Sequence, residues 1–263
     1  MKSPHIIVFD SGLGGLTVYR EVASALPDAR YLYVADDAFF PYGSQEEAAL
    51  IARVLELMGE LIAVHRPELV IVACNTASTL VLPQLRARFQ VPFIGTVPAI
   101  KPACAASLSK RVSVLGTQAT IAREYTRALI RDFANGADIT LVGSGELAAL
   151  AEAELRGESA DDAAIARELG PCFVDKGGRR TDTVVLACTH YPLLLDRFTR
   201  LAPWPVRFID PAPAIARRAL ELIGTPPSAP ARAKAQILFT SGREPSPTLA
   251  AALAGFGLGE VTL

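Results

Sequence analysis

Leu69-Val70-Ile71-Val72-Ala73-Cys74 runs six residues without a charged or amide side chain, and Asn75-Thr76-Ala77-Ser78 follows at once. A strand with one wet face alternates apolar and polar residues. An unbroken apolar run rich in β-branched side chains reads as a strand covered on both faces, the habit of parallel sheets in α/β proteins. Val184-Val185-Leu186-Ala187-Cys188-Thr189-His190 echoes the same run, down to the Ala-Cys ending and the polar residues after it. Val8-Phe9-Asp10-Ser11 and Val114-Leu115-Gly116-Thr117 echo each other at nearly the same separation, each a strand ending in a small polar turn. The plain alternative, a chance likeness of common strand residues, leaves the shared Ala-Cys endings unaccounted for.

Working outward, strands are expected at Ile6–Asp10, Tyr31–Ala35, Leu69–Cys74, Phe93–Thr96, Arg111–Gly116, Ile139–Gly143, Thr183–Cys188, Arg207–Asp210 and Gln236–Thr240. Between them Leu50, Ile51, Val54, Leu55, Met58, Leu61 and Ile62 form one helical face, after a Ser44 to Glu47 pair with capping-box spacing. Thr120, Ile121, Tyr125, Leu129 and Ile130 suggest a second helix, and Ile215, Ala219, Leu220 and Ile223 a third. The expected fold is α/β: two related, doubly wound α/β domains with mainly parallel sheets and the active site in the cleft between them. The first would be discontinuous, residues 1–97 plus 207–263, with the strand at Arg207–Asp210 returning to it; the second would span 98–206. Thr225–Pro230 reads as a short proline-rich loop.

Of the 263 residues, 51% are hydrophobic and 20% charged, enough apolar material for a core and too little charge for a disordered chain. The 26 Lys+Arg against 27 Asp+Glu give no global field for nucleic acid or an anionic membrane, so neither is an expected partner. Four apolar residues, Ile6 to Phe9, are too few for a signal-peptide core, and no run is long enough to span a membrane. Four Cys in a chain of this length make no disulfide framework. A soluble, cytoplasmic protein with reduced thiols is expected.

Ligands of open α/β sheets bind beyond the carboxyl ends of the strands. There this chain carries Asp10-Ser11, Asp36-Asp37, Cys74-Asn75-Thr76, Gly116-Thr117 and Cys188-Thr189-His190. Cys74 and Cys188 hold equivalent places in the two halves, each just before an expected helix, whose N-terminal dipole and free N–H groups favour a thiolate. Two thiols facing one cleft from opposite sides can take a proton from one face of a molecule and return it to the other, as stereo-inversion at carbon requires. The plain alternative is that they are core residues, the preferred reading for Cys104 and Cys172, which sit among apolar neighbours. A metal held by Cys188, His190, Cys74 and Asp10 is a weaker alternative, because no C-x-x-C or H-x-x-x-H spacing occurs. His5 and His65 read as bystanders. Asp10 next to a thiol could hold a proton, as could His190 two residues beyond Cys188; a helix cap and a turn residue are the bland readings. Asp10-Ser11-Gly12-Leu13-Gly14-Gly15 and Pro41-Tyr42-Gly43-Ser44 each precede a helix and offer N–H groups to a carboxylate. The first is not G-x-G-x-x-G, and Asp10 would repel a pyrophosphate, so a dinucleotide with Asp36 on its ribose is disfavoured. No lysine stands at a strand end for a pyridoxal Schiff base. Glu152, in an alanine-rich helix, would ordinarily be a solvated charge, and Thr117 and Thr120 ordinary caps.

Together Asp10-Ser11-Gly12-Leu13-Gly14-Gly15, Pro41-Tyr42-Gly43, Ala73-Cys74-Asn75-Thr76-Ala77-Ser78, Val97-Pro98-Ala99-Ile100-Lys101-Pro102-Ala103, Gly116-Thr117-Gln118-Ala119-Thr120 and Cys188-Thr189-His190-Tyr191-Pro192 resemble, in order, the signatures of the glutamate racemases. The resemblance runs from about residue 5 to 245. It implies cofactor-independent interconversion of L- and D-glutamate for peptidoglycan synthesis, with no metal, glutamate as the small-molecule partner, and a homodimer. By motif matching it makes Cys74 and Cys188 the paired acid/base thiols, Asp10 the helper of Cys74, His190 the helper of Cys188 and Glu152 an auxiliary charge. Substrate contacts would fall on Asp10, Ser11, Pro41, Tyr42, Gly43, Asn75, Thr76, Thr117, Thr120, Thr189 and His190. Val142-Gly143-Ser144-Gly145-Glu146-Leu147 departs from the family's usual run before that glutamate, so Glu146 stands beside Glu152 as the auxiliary acid, and Phe39 stands where a basic residue is common. The first strand begins almost at once, so activation by a cell-wall precursor is not expected. An aspartate racemase of the same superfamily and a non-catalytic small-anion binding protein are the alternatives.

Overall fold

The computed structural model describes residues 3–224 and 235–262, and the expected loop at Thr225–Pro230 lies outside them. The chain opens with β1 (His5–Asp10), α1 (Leu16–Ala25), β2 (Arg30–Ala35), a loop of two short 3-10 turns, α2 (Glu47–His65), β3 (Leu69–Val72), α3 (Asn75–Arg88) and β4 (Phe93–Gly95). It continues with α4 (Ile100–Ala106), β5 (Arg111–Thr117), α5 (Gln118–Ala122), α6 (Glu124–Phe133), β6 (Asp138–Ser144), α7 (Leu147–Leu155) and α8 (Asp162–Leu169). A small hairpin of β7 (Asp175–Lys176) and β8 (Arg179–Arg180) leads to β9 (Thr183–Ala187), α9 (Leu195–Leu201) and β10 (Arg207–Ile209). The chain ends with α10 (Ala212–Ile223), β11 (Ala235–Phe239), α11 (Pro247–Gly255) and β12 (Leu258–Thr262).

Two sheets result, of order β12-β11-β2-β1-β3-β4 and β10-β9-β5-β6, and every neighbouring pair in both is parallel. Among the described residues only the β7–β8 hairpin is antiparallel. This is the α/β architecture expected from the apolar runs, and their physical reason is visible. Ile6 and Val8 of β1 point into a core shared with Leu16, Val22 and Ile215, while Ile7 and Phe9 point the other way against Val54, Met58 and Val81. Both faces of the second sheet are covered too: Val184 and Leu186 pack with Ile165 and Phe198, Val112 and Val185 with Ile100 and Cys104. At about 1.5–3 kcal/mol for each fully buried aliphatic side chain, apolar residues fill most positions of these strands, and a polar exception such as Ser113 is hydrogen-bonded, donating to the Cys172 carbonyl at 2.7 Å.

Several expectations need correcting. The strand at 207–209 does not return to the first sheet: Arg207, Phe208 and Ile209 pair with Thr183, Val184 and Val185 of β9, so it edges the second sheet. The crossing back follows it, at α10, whose Ile215 and Ala219 join the core beside α1. α2 is capped by Glu46, whose carboxylate accepts from Ala49 N–H, and Ser44 belongs to the preceding 3-10 turn. The helix expected through Thr120–Ile130 is two, α5 and α6, broken at the extended Arg123. β12, with Gly259 and Glu260 in a short run, carries no strand-like apolar pattern and forms because β11 offers an edge to pair with. Among the described residues no helix is long and apolar enough to cross a membrane.

The order of the first sheet places the site. β1 lies between β2 and β3, so the chain leaves its carboxyl end in opposite directions and opens a crevice there. The ladder extends past the strands through Asp36 N–H to Asp10 carbonyl (2.9 Å) and Ala73 N–H to Phe9 carbonyl (2.7 Å). That brings the turns after β1, β2 and β3 side by side.

Candidate active site

On the first sheet's side, Asp10 is wholly buried. Its Oδ2 accepts from the N–H groups of Gly12 and Gly15, each at 3.1 Å, while Oδ1 finds no hydrogen-bond partner among the described residues. Burial pushes this carboxyl up, against the pull of the His190 charge. Cys74 is the residue before α3, is 5% exposed, and lies 3.6 Å from Ser11 Oγ. Burial, with the Asp10 charge adding to it, pushes its thiol up to about 12. The expected thiolate-favouring effect of the helix N-terminus is therefore outweighed: desolvation of a sulfur anion costs more than the N–H groups return. Asn75 is buried with both amide atoms unpartnered among the described residues. Polar groups left bare in a buried place are costly unless something else satisfies them, and a bound ligand would.

On the second sheet's side, Cys188 follows β9 and is 6% exposed. No helix begins directly after it: a 3-10 turn, Tyr191–Leu194, comes first, because His190 lies between and turns into the site. His190 Nδ1 is 3.8 Å from Cys188 Sγ, and Nε2 is 3.0 Å from Glu152 Oε1. Glu152 also accepts from Leu13 N–H (2.7 Å) and from Arg156 (2.9 Å). Burial alone would lower His190, but its bonds to Cys188 and Glu152 carry it well above its ordinary value. Burial is the largest single influence on Glu152 and raises it, but the bond and charge of His190 together with the bonds from Leu13 and Arg156 outweigh it, and the carboxyl ends below its ordinary value. The two shifts agree in direction, so the pair is an imidazolium and a carboxylate. The Gly14 N–H also approaches Nε2 at 3.2 Å, and a protonated Nε2 has no lone pair for it; that bond belongs to the neutral ring. Glu146 lies on the surface, paired with Arg167 at 2.7 Å, away from this cluster.

The two sides meet along two seams. In one, Leu13 and Gly14 reach Glu152 and His190, and Thr17 Oγ1 donates to the Thr189 carbonyl at 3.1 Å. In the other, Thr76 Oγ1 stands 3.0 Å from Thr117 Oγ1 and 3.3 Å from Thr120 Oγ1, and Arg123 pairs with Glu47. Thr117 is indeed a cap, accepting from Thr120 N–H, and it faces Gly43 as well. Tyr42 is buried and donates its phenol to Asp36 at 2.6 Å, so only its backbone is free to face the cleft. Pro41 is exposed at the rim, while Ser11 and Thr189 are buried beside the two cysteines. His5 and His65 bond each other's segment on the far side of the sheet, with Nδ1 of His5 3.0 Å from the His65 carbonyl. Cys172 is held up to about 12 by burial. Among the described residues no three His, Cys, Asp or Glu side chains group as a metal ion needs.

Sequence reasoning missed Phe40, whose ring lies 5.7 Å from that of His190, and Arg156, one helical turn after Glu152. The i, i+4 spacing of Glu152 and Arg156 was a usable signal; nothing local marks Phe40.

The chain matches the family described as Asp/Glu/Hydantoin racemase over residues 7–219. It is 52% identical to the glutamate racemase of Brucella ovis over 261 residues, covering 96% of this chain and 92% of that protein. Its fold is similar to that of Escherichia coli glutamate racemase, solved in complex with L-glutamate and the activator UDP-MurNAc-ala, with a TM-score of 0.90 and 39% identity over 99% of this chain and 97% of that one. It is also similar to the glutamate racemase of Thermus thermophilus, solved with Beta-chloro-D-alanine, at a TM-score of 0.78 and 31% identity over 99% and 96% of the two chains.

Proposed function

This chain belongs to the Asp/Glu/hydantoin racemase family, and on that premise we propose that it is a glutamate racemase that inverts the α-carbon with two cysteines and no cofactor. The observation that carries the reading is the pairing of each buried cysteine with its own acid–base partner, Asp10 beside Cys74 and His190 beside Cys188, with the charge of Cys188 reaching Cys74. The site residues would come from both sheets, in two units of about 1–97 with the C-terminal segment and about 98–210.

An amino-acid α-proton is only weakly acidic without an electron sink, so the site has to stabilise negative charge as it develops and keep water out. Cys74 begins as the thiol, the form its burial favours. Cys188 begins as the thiolate, its negative sulfur supported by the His190 imidazolium and, through it, by Glu152. The thiolate takes the α-proton from one face; the Cys74 thiol delivers a proton to the other. The product is the opposite enantiomer, and the two sulfurs have exchanged protonation states. The reverse reaction starts from that exchanged state. Asp10 holds charge balance beside Cys74. The unpartnered Asn75 amide, the hydroxyls of Ser11, Thr76, Thr117, Thr120 and Thr189, and the N–H groups of Tyr42 and Gly43 receive the two substrate carboxylates.

Glutamate is preferred to aspartate as substrate because relatives at 52% identity bear that name. Its D-enantiomer would supply peptidoglycan synthesis in the cytoplasm, and a homodimer is the expected assembly. The test is incubation with L-glutamate in deuterium oxide with nothing added. D-Glutamate carrying α-deuterium is expected, and neither Cys74→Ala nor Cys188→Ala should racemise. Full activity in either variant refutes the two-cysteine mechanism. Exchange with aspartate alone changes the substrate. Silence with both, from folded and reduced protein, favours a binding protein.

A further inference from the structure

Among the described residues two acids are wholly buried, Asp10 and Asp36, and the mechanism above uses only the first. Asp36 follows β2 directly, and four donors from three other segments converge on it. Oδ1 accepts from Arg53 Nη2 and from Thr240 Oγ1, both at 2.6 Å, and Oδ2 accepts from the Tyr42 phenol at 2.6 Å and from Arg53 Nε at 3.2 Å. An ionised carboxylate has about four acceptor sites, so this one is full. It has nothing left for a substrate, and so is no catalytic group.

Its partners say what it holds. Tyr42 lies in the loop between β2 and α2, Arg53 on α2, and Thr240 just past β11. Thr240 Oγ1 also accepts from Ala38 N–H, and Asp37 accepts from Ser241 N–H at 2.9 Å, so the start of the loop is tied to the same strand end. The loop carries no strand or α-helix of its own, only two 3-10 turns, and gets its position from these bonds. Next to Tyr42 stands Gly43, against Thr117 of the other sheet: a Cβ built on Gly43 would be 3.5 Å from the Thr117 Cβ. That contact lies on the second seam, beside the N–H groups of Tyr42 and Gly43 that the proposed function assigns to a substrate carboxylate.

Resting on the proposed function, we propose that Asp36, with Thr240 and Arg53, is a positioning residue: it holds the Pro41-Tyr42-Gly43 loop in place against Thr117, and thereby sets where the loop's N–H groups meet a substrate carboxylate and the length of the dicarboxylate the site accepts. The bidentate Arg53 fork gives direction as well as attraction, which a single ammonium would not.

The variants are Thr240→Val, which deletes one donor to Asp36 at nearly constant shape and lies outside the binding residues, and Thr240→Ser, which keeps the hydroxyl. Each is assayed for α-deuteration and racemisation of L-glutamate, L-aspartate and L-2-aminoadipate in deuterium oxide, alongside a thermal melt. For Thr240→Val the KM for L-glutamate should rise about tenfold, the order expected when one hydrogen bond to a charged group is lost. The preference for glutamate over its shorter and longer homologues should narrow, kcat should change by less than about threefold, and Thr240→Ser should restore both KM and preference. Tyr42→Phe, which removes the loop's own bond to Asp36 and keeps the ring, should move KM in the same direction. A folded Thr240→Val protein with a lower melting temperature but unchanged KM and substrate preference overturns the proposal and makes Asp36 structural only. Wild-type protein that exchanges none of the three substrates overturns the functional reading instead.

Discussion

Gly14 is where the first sheet's turn touches His190, the histidine beside Cys188, and replacing it by alanine tests whether that contact matters. A Cβ built there would lie 2.5 Å from His190 Cγ and 2.7 Å from Cε1, where ordinary contact begins at 3.4 Å. The ring or the turn must therefore give by roughly 1 Å, a displacement that near reacting groups costs about 10²-fold in rate. The ring has little room to retreat, with Phe40 on one side and Cys188 and Glu152 bonded to its nitrogens. Backbone strain is not the issue, because Gly14 is not among the residues with positive φ. Alanine should even stiffen the unfolded chain, by about 0.4–1 kcal/mol in favour of the fold. Forcing a methyl into that buried contact costs about 1–3 kcal/mol, more than this gain, so the expected result is a folded protein with a somewhat lower melting temperature whose kcat/KM for glutamate falls about 100-fold. Gly43→Ala is the control: its Cβ would meet Thr117 at 3.5 Å, ordinary contact, and its effect should be far smaller. Racemisation within twofold of wild type in Gly14→Ala refutes the reasoning.

Glu152→Gln removes the carboxylate that supports the His190 imidazolium; kcat should drop about 10²-fold and the alkaline limb of the rate profile should shift to lower pH, while Glu146→Gln, an exposed ion pair, should be nearly silent. Stability should follow the same pair. His190, raised in the fold, contributes fully below its unfolded value of 6.5 and loses that contribution as pH rises through its folded value; Glu152, lowered, contributes above 4.5 and loses it as pH falls. Asp10, raised, behaves like His190 from 3.8 upward, so the acid side is a sum of opposing parts and the alkaline side is the cleaner test. Melting temperature should decline above pH 6.5 in wild type and less so in His190→Asn; identical slopes would contradict the ion pair. Cys172→Ala should retain racemisation and lose about 1 kcal/mol of stability in a denaturant titration, since its side chain is wholly buried in the core around α8 and has no part in the proposed proton transfers; lost activity in a stable variant would oppose the assignment of Cys74 and Cys188.

What the sequence determined by itself is what local pattern can write. Strands covered on both faces are mostly apolar, so Leu69–Val72 and Val184–Ala187 announce parallel sheets, and the small polar residues after them, Asp10-Ser11 and Cys74-Asn75-Thr76, mark turns at the carboxyl ends of the strands. Burial and long-range pairing have no such local signature. Glu146 and Glu152 sit in the same stretch, and only the packing of α7 against the turn after β1 buries one and leaves the other in water. Helix position alone favoured a Cys74 thiolate, yet the closed surroundings supplied by both sheets leave it a thiol. The strand at 207–209 chose its sheet because β9 had a free edge beside it, and Asp36 meets Thr240 across 204 residues of chain. Tertiary structure decides such matters because desolvation and hydrogen-bond partnership depend on everything that surrounds a group, and most of what surrounds these groups is distant in sequence.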